Sequence, residues 1–367
     1  MTPSVLLALV SALIQLKGSP LSGGTLSGSA TLQLEKAKGG DTPVLNLSAP
    51  GGKVRLLLDT GASSTMVTPA LATRLGLPSQ ALSSREIELA GGGSLCAGLN
   101  PRRTRLPSLE LAGADQLGQL RLSGVEALVM PVAALPPGID GVLGVPSLRQ
   151  LPLWIDPQGN RLALGSAALE AAKIHDLRRW QPSPDQAWAE HSSEAGGLTS
   201  PRGSVALQSN SSSPAQAPGA EMGGPKRPVS NRMAGPKLKL PLRWQRGVPL
   251  LQLSTPAGTV SALADTGAEG LFISPRLASV LQPLSPPQPL RLTGFCGEQA
   301  VELRRYGGLS LGAHGNGPGP SAAVEAIRTE NPIFTQLGVE AIVGQELLRG
   351  HGQLWRLDRQ PPLLELR

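Results

Sequence analysis

The feature that most constrains this chain is that it repeats itself. Residues 42–75, "TPVLNLSAPGGKVRLLLDTGASSTMVTPALATRL", and residues 248–281, "VPLLQLSTPAGTVSALADTGAEGLFISPRLASVL", align without a gap at a constant offset of 206. Pro43, Leu45, Leu47, Gly52, Leu57, Asp59-Thr60-Gly61-Ala62, Pro69 and Leu71 all recur in the second copy. Each copy alternates apolar and polar residues, breaks at a Pro-x-Gly turn, and runs through a second apolar stretch into Asp-Thr-Gly-Ala, where a short helix is expected to follow. The copies also end alike, "GIDGVLGVPSLRQLPLWIDPQGNRLAL" (138–164) against "GVEAIVGQELLRGHGQLWRLDRQPPLLEL" (338–366), each with an apolar strand closing on a glycine and a final strand carrying Trp154 or Trp355.

A duplicated β unit predicts two lobes related by a pseudo-twofold axis, and such an axis brings Asp59 and Asp265 together. Composition agrees. Gly 45 and Pro 35 suit a turn-rich, mostly-β chain, while Phe 3, Trp 5 and Tyr 1 leave the core to Leu, Val and Ala. The fold expected is all-β with short helices. Residues 1–30 are read as a signal-like or anchoring segment, 31–168 as lobe 1, 169–237 as a disordered Pro/Ser/Gly-rich basic linker, and 238–367 as lobe 2.

The formal charge of +7 invites a nucleic-acid reading until it is located. Residues 171–246 hold eleven Lys or Arg against five Asp or Glu, so nearly all the excess lies in that one stretch, which takes in most of the linker and the start of lobe 2. A solvated linker accounts for it, and no aromatic-interleaved basic stripe supports a nucleic-acid partner. The four histidines have no metal-ligand spacing, so neither metal nor cofactor is expected. The stretch 5–14, apolar except for Ser11, has the length of a secretory h-region but lacks a basic flank before it and a clean cleavage site behind it. It implies export, to the periplasm for instance, or membrane association; the alternative is a cytoplasmic chain with a buried or frayed helix there.

Asp-Thr-Gly-Ala after an apolar strand, a Gly-rich hairpin some thirty residues on, and the closing "GVLGVPSLRQL" and "AIVGQELLRG" together resemble the retropepsin-type aspartic proteases. With two copies in one chain, the resemblance is to a fused dimer, as in pepsins, and a monomer is expected. It implies an endopeptidase in which Asp59 and Asp265 share one proton and activate a water between them, acting on an extended peptide or protein substrate. Two carboxylates at short range cannot both ionise easily, so the titration belongs to the pair. The same resemblance implies that Thr60 and Thr266 cross-link the two loops beneath the dyad. Gly61 and Gly267 let the chain turn and backbone amides approach the carboxylates. Ala62 and Ala268 replace the hydroxyl residue usual in pepsins, and losing that donor implies a working pH only mildly acidic.

The hairpins 88–99 and 291–303 are candidate flaps, with Gly91, Gly92 and Gly93 in one and Gly294, Phe295 and Gly297 in the other. The chain's two cysteines, Cys96 and Cys296, fall in these hairpins, and flap tips that meet would let them form a disulfide or act as a redox switch. An ordinary pair of surface hairpins with separate thiols is the bland alternative. The rival function is a protease-derived module that binds extended peptides without cutting. Glu269, after the second motif, keeps that reading open, since a buried carboxylate beside the dyad would disturb its proton sharing.

Overall fold

The computed structural model describes residues 5–7, 13–16, 20–83, 85–91, 98–111, 117–179, 237–312 and 323–367. Residues up to Asp176 and from Pro236 onward form one compact unit, and Leu177–Gly235 a second, of which only 177–179 are described. Both copies of the repeat belong to the first unit.

In lobe 1 the strands Pro43–Ala49 and Gly52–Leu58 pair as an antiparallel hairpin. Gly51 and Gly52 take the turn at φ of 105° and 126°, a region that side chains with a Cβ rarely enter. Leu45, Leu47, Val54, Leu56 and Leu58 are fully buried, so the alternation read in the sequence is the inward face of this hairpin. After the Asp-Thr-Gly-Ala loop comes a three-residue strand, Thr65–Val67, and only then the helix Pro69–Arg74. Thr68 caps that helix by accepting the Leu71 N–H at 3.1 Å, and Pro69 occupies its first turn, where no amide is needed.

Lobe 2 repeats this at the same offset. Strands Val248–Thr255, Gly258–Ala264 and Leu271–Ile273 lead to the helix Pro275–Val280, capped by Ser274 on the Leu277 N–H at 3.0 Å. In each lobe a later strand threads between two earlier ones. Gly141–Leu143 runs parallel to Gly52–Leu58 and antiparallel to Thr65–Val67, and Ala341–Val343 does the same between Gly258–Ala264 and Leu271–Ile273. This threading pins each Asp-Thr-Gly-Ala loop to the end of a fully buried strand.

The lobes share a sheet. Leu153–Asp156 pairs antiparallel with Gln353–Arg356, setting Trp154 opposite Leu354 and Leu153 opposite Trp355, and the sheet continues through Leu363–Leu366 to Leu238–Pro241. Both tryptophans are fully buried, and the main apolar cluster takes residues from both lobes. The architecture is mostly β, two lobes related by a pseudo-twofold axis.

Two boundaries differ from the sequence reading. Lobe 1 does not begin at 31: Gly23–Gln33 is an eleven-residue strand of it, paired with Leu117–Val129, and Leu13–Leu16 pairs with Ile87–Ala90. Val5–Leu7 and Leu13–Leu16 are strands, not a helix, because each finds a strand edge to complete. The linker does not begin at 169, since Ser166–Arg179 is helical; its Ala, Leu, Glu and Lys content favours helix once it has left the final strand of the lobe. Residues 180–236 lie outside the described residues.

Candidate active site

Asp59 and Asp265 stand at the ends of equivalent strands, both fully buried, and each strand end is fixed by the threaded strand beside it. The Asp59 N–H donates to Leu143 O at 3.2 Å and the Asp265 N–H to Val343 O at 3.0 Å. Farther along each loop, the Val145 N–H reaches Ala62 O at 2.9 Å and the Gln345 N–H reaches Ala268 O at 2.8 Å. Gly144 and Gly344 precede these donors, and a Cβ on either would stand 2.8 Å from Ala62 O or 2.2 Å from Ala268 O. The glycine closing each terminal strand is therefore set by space beneath the loop.

Between the two loops runs a reciprocal set of hydrogen bonds. The Thr60 N–H donates to Thr266 Oγ1 at 3.0 Å, and the Thr266 N–H donates to Thr60 Oγ1 at 3.0 Å. Each hydroxyl then donates to a carbonyl of the opposite lobe, Thr60 to Ala264 O at 2.8 Å and Thr266 to Leu58 O at 2.7 Å. All four groups are buried, so each hydroxyl satisfies one amide and one carbonyl that have no water to turn to.

Above this the carboxylates meet the glycines. The Gly61 N–H donates to Asp59 Oδ1 at 2.7 Å and the Gly267 N–H to Asp265 Oδ1 at 2.7 Å. Neither Gly61 nor Gly267 has a left-handed φ, so neither is glycine for the sake of a turn. Space is the reason: a Cβ at 61 would lie 2.4 Å from Asp265 Cγ, and one at 267 would lie 2.4 Å from Asp59 Cγ. Each glycine makes room for the other lobe's aspartate.

Burial pushes the Asp59 carboxyl well above the usual carboxylate range, reinforced by the repulsion of Asp265 and a hydrogen bond between the two side chains. The amides of Gly61 and Ala62 pull in the opposite direction and do not prevail. Asp59 Oδ2 is buried and meets no N–H or hydroxyl donor among the described residues, and a hydrogen bond between the two carboxyls requires a proton on one of them. A pair of carboxyls that shares one proton supplies an acid and a base side by side.

The residues flanking the dyad are placed differently from one another. Gly91 abuts Phe295, a Cβ on it falling 2.8 Å from the ring, so the hairpins of the two lobes touch there. Phe295 and Cys296 turn between the paired strands Gln288–Gly294 and Gly297–Gly307, and both are buried in a cluster with Ala62, Met66 and Ile87 of lobe 1. Cys296 is disulfide-bonded, and the sequence holds one other cysteine, Cys96. Gly92, Gly93 and Cys96 lie outside the described residues.

Glu269 does not face the dyad. Its carboxylate accepts the N–H of Asp41 at 2.6 Å and of Thr42 at 2.9 Å, together with the Thr42 hydroxyl, and so ties lobe 2 to lobe 1. Gly40 is glycine because this carboxylate fills the place of its Cβ. Two further residues had no distinguishing signal in the sequence. Gln345 is buried and donates to Thr266 O at 3.0 Å, while Gln353 and Trp355 stack a buried polar chain behind it; its counterpart in lobe 1 is Val145. Ser63, at the position of Glu269 in the first copy, bonds the backbone of Ile14. Among the described residues no cluster of side chains is arranged to hold a metal ion.

The aspartyl protease family model matches residues 46–147, which takes in Asp59 and Gly144. Solved structures also align with the chain, three of them as follows. Conglutin gamma, a basic 7S globulin from lupine seeds, aligns at 10% identity and a TM-score of 0.43, over 94% of this chain and 95% of that one. A retropepsin-like aspartic protease from Rickettsia conorii aligns at 17% identity and a TM-score of 0.25, over 38% of this chain and 93% of that one. Basic 7S globulin from soybean aligns at 8% identity and a TM-score of 0.39, over 95% of each. No curated protein sequence matches.

Proposed function

We propose that this chain, whose residues 46–147 match the aspartyl protease family, is an aspartic endopeptidase acting on extended polypeptides. The observation that carries the reading is the reciprocity of the site: each lobe supplies a buried aspartate, the glycine that accommodates the opposite aspartate, and a threonine that anchors the opposite loop. The repeat extends the family match to the second lobe, which the matched residues do not reach.

In this reading the ionised member of the pair takes a proton from water as that water attacks the scissile carbonyl, and the protonated member donates to the carbonyl oxygen. Collapse of the tetrahedral intermediate returns a proton to the leaving amine. The threonine bonds hold the two carboxyls at fixed separation, so that little reorganisation accompanies proton transfer. One chain supplies both halves of the site, and the active species is a monomer.

The test is cleavage of an unfolded protein between about pH 3 and 7, with wild type, Asp59→Asn and Asp265→Asn side by side, each with and without a statine-type inhibitor. Wild type cuts, and either substitution or the inhibitor stops it. If all three chains are silent while the inhibitor still binds, the chain is a peptide-binding module instead.

A further inference from the structure

The backbone of Ile14 is held by the loop that carries Asp59. Its N–H donates to Ser63 Oγ at 2.7 Å and the Ser63 hydroxyl donates back to Ile14 O at 3.1 Å, with Ser63 standing on the same loop as Asp59. On its other side Leu13–Leu16 pairs antiparallel with Ile87–Ala90, the first strand of the lobe 1 hairpin. The lobe 2 hairpin is engaged as well, Val5–Leu7 running parallel to Arg291–Thr293. One stretch of chain thus bonds the loop beside the dyad and a strand of each candidate flap.

Its side chains straddle the lobes. Leu13, 1% exposed, lies in an apolar cluster with Ala268, Ala90 and Leu292, whereas Ile14, 6% exposed, lies in a separate cluster with Ala62 and Phe295. Successive residues of an extended strand point to opposite sides, and here the two sides are the residues that follow Asp265-Thr266-Gly267 and Asp59-Thr60-Gly61. Beside Ile14 and Leu16 lies a cavity of about 840 Å³, with Ser63, Ser64 and Arg149 on its wall.

We infer that Leu13–Leu16 occupies the peptide-binding cleft as the chain's own ligand, competing with substrate. The binding mode is strand addition, in which main-chain bonds hold the ligand and alternate side chains enter opposite pockets. The occupant also reports the substrate class: an extended, uncharged segment with adjacent aliphatic residues. The catalytic consequence rests on the proteolytic reading above; the occupancy itself does not.

The experiment lets the full chain fold first. A recognition site for a sequence-specific protease is inserted after Lys17, and the purified chain is studied before and after cutting there. The expected result is a rise of at least about tenfold in affinity for a fluorescent statine-type inhibitor after cutting, a matching fall in KM for a peptide substrate, and reversal of both by added peptide 1–17. Inhibitor affinity unchanged by cutting overturns the proposal. Loss of the proteolytic reading shows separately, as absent cleavage in every state, and inhibitor affinity then decides occupancy alone. In the uncut chain Ile14→Pro, which deletes the N–H given to Ser63, gives the same direction of change with the melting temperature as the check on folding; an unchanged affinity in a folded variant counts against the proposal.

Discussion

Gly61 lies against the carboxyl group of Asp265, and Gly267 lies in the same way against Asp59; an added Cβ would come within 2.4 Å of the facing Cγ in both cases. The glycine of each Asp-Thr-Gly thus serves the aspartate of the other copy, while its amide bonds the aspartate of its own. A repeat read one copy at a time shows only the second half of this arrangement.

Gly61→Ala therefore forces Asp265 to move, and Gly267→Ala forces Asp59 to move by a comparable amount. Overpacking a rigid site costs about 1–3 kcal/mol. Both variants are expected to lose cleavage by at least about a hundredfold, because a displaced carboxyl forfeits the geometry of proton transfer. Equal losses in the two, read as kcat on one peptide substrate and as urea midpoints, are the check on reciprocity.

Thr60→Val removes a hydroxyl that accepts from Thr266 N–H and donates to Ala264 O, leaving both groups buried and unpaired. At about 1–3 kcal/mol for each orphaned group, a loss of about 2–6 kcal/mol is expected. Thr60→Ser keeps both bonds and recovers most of it. Urea denaturation of Thr60→Val, Thr266→Val and the double variant gives a non-additive cycle, since the two hydroxyls belong to one network.

The raised pKa of Asp59 fixes the sign of a pH dependence. The folded chain binds this proton more tightly than the unfolded chain, so the contribution to stability is complete below about pH 4 and is lost as pH rises through the folded value. Asp59→Asn cannot ionise and removes that loss. Its melting temperature, compared with wild type, is expected to improve progressively from about pH 4 to pH 8. A difference between the two chains that stays constant across the range would contradict the assignment.

Glu269→Gln offers the amides of Asp41 and Thr42 one oxygen and one NH₂ where they now meet two carboxylate oxygens. One amide is left facing a donor, at a cost of about 1–3 kcal/mol. Because this contact joins the lobes away from the dyad, kcat is expected to change less than the unfolding midpoint does. Hydrogen exchange at residues 41 and 42 should quicken in the variant.

Much of the architecture was legible because it rests on near neighbours. The hairpin turn at Gly51–Gly52, the short helix after each Asp-Thr-Gly-Ala and the apolar alternation of 43–58 are all properties of a few consecutive residues. Glu269 shows where such reading stops. Its place after Asp-Thr-Gly-Ala suggested a carboxylate disturbing the dyad, but its partners lie 227 and 228 residues away and turn it into a clasp between the lobes.

The sequence by itself determined that this chain is a doubled β unit with one Asp-Thr-Gly-Ala per copy, because a gapless repeat dictates the same local hairpin, loop and cap twice. Only the tertiary structure decided what fills the space between the copies. Whether Val5–Leu7 and Leu13–Leu16 leave the fold or enter it depends on free strand edges at 87–90 and 291–293 and on a serine 49 residues beyond Ile14, none of which is written in those segments themselves. An apolar segment is buried wherever backbone partners and matching side-chain space are offered together, and that offer is a property of the folded cleft.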